Sequence, residues 1–249
     1  SGFTSVLSGM GTALKAAAAA TAAAVAGAAT AIGALTTKAI EGYAAQEQLV
    51  GGVETLFKTS SDTVVGYAND AYKTAGMSAN EYMETVTSFS ASLLASMNND
   101  TAAAAEKANV AITDMSDNAN KMGTDISLIQ NAYNGFAKQN YTMLDNLKLG
   151  YGGTKEEMQR LLDDASKLSG IKYDISSYSD VVDAIHVVQT EMGITGTTAK
   201  EASTTIEGSV SSMSSAWDNW VAGMADSEAN FSQLTSNLVD SIVTVVGNI

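Results

Sequence analysis

The chain has 249 residues, no Pro, no Cys and one His, and its 13 Lys+Arg against 27 Asp+Glu give a net charge of −14. This composition excludes disulfides, thiolate chemistry and multi-histidine metal sites. The acidic balance disfavours electrostatic wrapping of nucleic acid, which needs clustered Lys/Arg. Without Pro, helix interiors are uninterrupted.

Taken from the N-terminus, the first region is Ala13 to Leu35, alanine-rich and with no ionisable residue between Lys15 and Lys38. Its length is close to the roughly 20 residues that span a bilayer. Two readings stand. One is an alanine-rich helix packed through small residues; the other is a conditional membrane segment whose close-packing faces carry Gly27 and Gly33. Helices are predicted near 12–35, 37–59, 61–75, 79–97, 100–121, 125–138, 141–148, 155–168, 178–191, 198–223 and 228–247, with no alternating strand pattern. Start signals recur at Ser78-Ala79-Asn80-Glu81, Thr154-Lys155-Glu156-Glu157 and Thr198-Ala199-Lys200-Glu201, each with the spacing of a capping box. Gly150-Tyr151-Gly152-Gly153 and Gly193-Ile194-Thr195-Gly196-Thr197 read as turns.

Toward the C-terminus the periodicity sharpens. Ile206, Val210, Met213, Trp217, Trp220 and Met224 alternate four and three apart, which predicts a buried helix–helix seam. Phe231, Leu234, Leu238, Ile242, Val245 and Ile249 form a second stripe, so the C-terminal helices read as coiled-coil-like. The expected fold class is all-α: a multi-helix assembly in which residues 1–38 are an Ala-rich helix, 39–224 a helical core module and 225–249 the start of a further helix. The chain begins Ser1-Gly2-Phe3 and stops within an apolar run, which reads as a piece of a longer polypeptide.

No constellation points to catalysis. Glu156-Glu157 and Asp163-Asp164 are neighbours on helices and diverge by about 100°, so neither pair converges on one substrate atom. His186, within Val181 to Val188, reads as a half-buried helix residue bonded to Asp183 or Thr190. The Gly150–Gly153 turn lacks the Gly-Lys-Ser/Thr ending of a phosphate loop. We therefore expect no enzyme, no catalytic residue, no cofactor, no metal and no specific nucleic-acid binding.

The stretch from Gln139 to Leu168, with Gly150-Tyr151-Gly152-Gly153-Thr154 between leucine-bearing segments, resembles the tape measure proteins of long-tailed bacteriophages and prophages. A second block adds to the resemblance: Val182 to Val188, Gly193 to Ala199, Glu201-Ala202, Thr204 to Ser209 and Trp217-Asp218-Asn219-Trp220. The likeness runs from about Ala44 onward and is weaker before Gln139. It implies a largely helical protein of the virion tail lumen that sets tail length, scaffolds tube assembly and assists genome ejection. It also implies tail tube and tail tip partners, self-association in the lumen, and contact with the host envelope after production in the host cytoplasm. A membrane-active, toxin-like helical protein is the rival reading.

Overall fold

The computed structural model describes residues 22–249, with side chains from residue 34. Among the described residues the chain is all-α and holds no strand. The helices are α1 (Ala22–Phe57), α2 (Ser61–Thr74), α3 (Ala79–Ser96), α4 (Thr101–Met122), α5 (Ile126–Phe136), α6 (Lys155–Ser169), α7 (Tyr178–Glu191), α8 (Thr197–Thr204), α9 (Ile206–Gly223) and α10 (Phe231–Asn248).

α4 is the central element, touching α1, α2, α3, α5, α7 and α8. Its sequence explains that position. Ala104, Ala108, Ala111 and Met115 lie four, three and four apart and are sealed from solvent. Methyl side chains let neighbouring backbones approach closely from several sides, so one helix can serve many partners. Larger side chains fill the surrounding layer: Tyr82, Phe89, Leu93, Tyr133, Phe136, Leu161 and Ile185 are all essentially buried. Fully burying side chains of this size contributes about 1.5–3 kcal/mol each. Phe89 meets Tyr178 edge-on at 6.2 Å, joining α3 to the start of α7.

Local capping sets several helix starts. Ser78 accepts from the Glu81 N–H, and Ser78 N–H donates to Glu81 Oε2 at 2.7 Å, which is the predicted reciprocal box. Asp100, Asp125, Ser177 and Asn230 cap α4, α5, α7 and α10 with single side-chain acceptors.

Four elements differ from the sequence reading. The predicted break near residue 36 is absent, and α1 runs on through Lys38, because nothing between Leu35 and Lys38 breaks a helix. The part of the Ala13–Leu35 stretch before residue 22 lies outside the described residues. No described helix is long and apolar enough to cross a membrane. Residues 141–148 form a turn with one short 3-10 segment, Leu144–Leu147, which ends at Lys148 in the left-handed region. The helix predicted at 198–223 is divided. Thr205 is extended, and its hydroxyl accepts from Gly208 N–H to start α9. Gly208 is required at that corner: a Cβ there would sit 2.5 Å from the Glu201 carbonyl.

The fourth difference concerns the Ile206–Met224 stripe, of which only Met213 and Trp220 are partly buried, against Tyr72, Ala216 and Leu238. Ile206, Val210, Trp217 and Met224 are exposed, Trp217 by 41%. The face of α9 turned inward carries Ser209, Ser212, Ala216 and Gly223 instead. Asn219 Oδ1 on that side accepts from Ala79 N–H at 2.8 Å, and Ser215 Oγ donates to the Gly76 carbonyl. Small side chains let α9 lie directly on the backbone that opens α3 and on α1, where Gly42 meets Ala222. α10 folds back antiparallel on α9, its end tied by Asn248 Nδ2 donating to the Thr205 carbonyl. A small cluster of Tyr72, Ala216 and Leu238 anchors the α9–α10 pair to α2.

Candidate functional site

The Gly150–Thr154 turn is a structural corner. Gly153 passes so close to the 141–148 turn that a Cβ would lie 2.2 Å from the Thr142 carbonyl oxygen. Tyr151 is covered by the Arg160 guanidinium at 4.3 Å, and its hydroxyl donates to Asp164. Arg160 Nη2 donates to the Gly150 carbonyl at 2.8 Å. Thr154 caps α6 through the Glu157 N–H, while the Glu157 carboxylate reaches past the cap to Gly152 N–H. The adjacent acids are thereby accounted for. Glu157 pairs with Arg160, and Asp164 with Lys167, which holds both carboxyls below their usual range. Asp163 accepts from Gln159, and Glu156 is exposed. Neither acidic pair faces a cleft partner.

His186 is bonded neither to Asp183 nor to Thr190. Its Nδ1–H donates to both oxygens of Asp114, at 3.0 and 2.9 Å, across the α4–α7 interface. That bond pushes the imidazole above its ordinary value of 6.5, outweighing the opposing desolvation. Asp114 is 1% exposed; burial pushes its carboxyl up, and the imidazole pulls it back. Asp183 pairs instead with Lys107. No hydroxyl hydrogen-bonds to His186 among the described residues.

Next to the dyad lies a buried polar network that sequence reasoning missed. Gln189 Nε2 donates to the Asp114 carbonyl, and its Oε1 accepts from Asn118 Nδ2 at 2.6 Å. Asn118 Nδ2 also donates to the Leu147 carbonyl. One turn along, the sealed carboxylate of Asp117 accepts from Gly196 N–H at 2.6 Å and Thr198 N–H at 2.8 Å. The expected Thr198–Glu201 box is therefore absent. α8 starts one residue earlier, and its open N–H groups are met by an acid from another helix. The sequence held one signal for this network: the stripe Ala104, Ala108, Ala111, Met115 continues in step to Asn118, placing an amide on an apolar face.

Two surface features remain. The exposed apolar side chains of α9 are joined by Val239, Ile242, Val243 and Val246 of α10. Trp217 stacks on Trp220 at 5.3 Å, and Trp220 Nε1–H donates to Thr235. The second feature is a cleft of about 560 Å³ bounded by α3, α4, α5, α8 and α9. Among the described residues no group of three or more acids and His is placed to hold a metal ion.

No protein-family model, no curated protein and no solved structure matches this chain.

Proposed function

We propose that the chain is a non-catalytic helical segment of a phage tail tape measure protein. The reading rests on the sequence block Gln139–Leu168 with its Gly-Tyr-Gly-Gly-Thr turn. It is supported by the use to which those residues are put: they build a corner between two packed segments and carry no reactive geometry. The exposed apolar ridge of α9 and α10 suits association with further helices, as expected of a chain that packs with its own copies and with tail tube and tail tip proteins. The absence of Cys suits a chain that leaves through a narrow tube, since no cross-link resists its extension. The described part is folded around a core, so it acts as a module joined to the ruler. An extended helix measures about 1.5 Å per residue, and tail length on this reading is set by such helical stretches of the same polypeptide.

In-frame removal of residues 39–249 from the encoding genome, followed by electron microscopy of the particles, tests the proposal. Shortened tails or failure of tails to assemble are expected. Infectious particles with tails of unchanged length would overturn it.

A further inference from the structure

We propose that the cleft between α3, α4, α5, α8 and α9 binds an alkyl-ammonium ligand of the polyamine class. Its volume of about 560 Å³ accommodates a linear aliphatic chain, and Met77 and Ile126 contribute apolar wall. Glu84, Glu201 and Glu207 bring carboxylates to it from three helices, and no Lys, Arg or His lines it among the described residues. The Glu84 and Glu207 carboxylates make no ion pair or hydrogen bond with any described residue, whereas Glu201 accepts from Asn120.

The second observation is independent of charge. Ser116, 5% exposed and part of the cleft lining, has a buried Oγ with no hydrogen-bond partner. Thr198 Oγ1, also in the lining, is buried and unpartnered as well. Buried hydroxyls are normally satisfied. An ammonium group offers three donors and no acceptor. It therefore suits a site whose unused groups are hydroxyl oxygens and carboxylates, with the alkyl part against the apolar wall. A lysine side chain of another polypeptide carries the same chemistry as a free polyamine.

The test is isothermal titration calorimetry of the purified chain at about 150 mM salt, where long-range attraction is screened. Spermidine is titrated in one arm and N-acetyl-lysine methylamide in the other. Saturable binding with one site is expected in at least one arm, and the arm that binds more tightly identifies the source. E84Q/E207Q should weaken binding by about tenfold or more, whereas E41Q/E191Q, the same charge change on exposed positions outside the cleft, should leave it intact. S116A should also weaken binding while leaving the melting temperature unchanged or raised, since its hydroxyl has no internal partner to lose. Absence of saturable binding in both arms would show that water alone fills the cleft. Equal loss in the two double variants would show general attraction to an acidic protein. Either result overturns the proposal.

Discussion

The interior around α4 and the α9–α10 pair use the same four-three spacing to opposite effect. Along α4 the periodic residues Ala104, Ala108, Ala111 and Met115 face inward and are sealed by larger neighbours. Along α9 the large periodic residues Ile206, Val210 and Trp217 face outward, and Ser209, Ser212 and Ala216 are sealed. In both helices small side chains line the closest contacts. Close approach of backbones governs the packing here: α4 has neighbours on several sides, and α9 rests on the backbone at Gly76 and Ala79. Most of the large side chains of the interior come from the helices around α4; Ile206, Val210 and Trp217 of α9 have no such outer layer.

This contrast sets an order of effects. Ile112→Ala, at a fully buried position of α4, should cost about 2–5 kcal/mol in denaturant unfolding, through lost burial and the cavity left behind. Asp117→Ala should cost about 1.5–3 kcal/mol, because two N–H groups at the start of α8 lose a charged acceptor. Hydrogen exchange should then quicken at Gly196 and Thr198 before it does in α6. Trp217→Ala removes a larger side chain than either, yet should cost only about 1 kcal/mol, chiefly the stacking on Trp220. A cost for Trp217→Ala equal to that of Ile112→Ala would erase the distinction between the two regions.

The smallest effect is one of pH. The Asp114 bond raises the folded pKa of His186 above 6.5. The stabilisation is therefore fully present below the unfolded imidazole value and is lost as pH rises through the higher folded value. Burial raises the Asp114 carboxyl, which acts in the same direction over a lower range. Melting temperature should fall in the wild type as pH rises past the ordinary imidazole value of 6.5 and fall less in His186→Gln. An equal slope in both proteins would remove His186 from the interface energetics.

Much of this fold is written locally. The Ser78–Glu81 box, the Thr154 and Ser177 caps and Gly123 and Gly170, which end α4 and α6 in the left-handed region, are signals contained within a few residues, and the helices they bound begin or end within a residue of where the sequence places them. What escapes is decided at a distance. Thr205 divides a continuous helical pattern because α9 must turn to lie on α3, and Gly208 permits the corner. The acceptor for the start of α8 comes from Asp117, about 80 residues earlier in the chain. His186 finds Asp114 on another helix, where local spacing suggested Asp183 or Thr190. Periodicity identifies the residues that share a face of α9, but the side turned inward is chosen by the neighbour's backbone. The cleft is the least legible feature, since its acids and its hydroxyls come from separate helices whose juxtaposition no local pattern carries.

The outward ridge of α9 is tested most directly with a single-tryptophan protein, Trp220→Phe, at low concentration. Trp217, 41% exposed in the fold, should emit near the solvent-exposed wavelength and be quenched readily by acrylamide. Blue-shifted emission with strong protection from acrylamide in the dilute monomer would contradict it, placing the stripe back inside the protein.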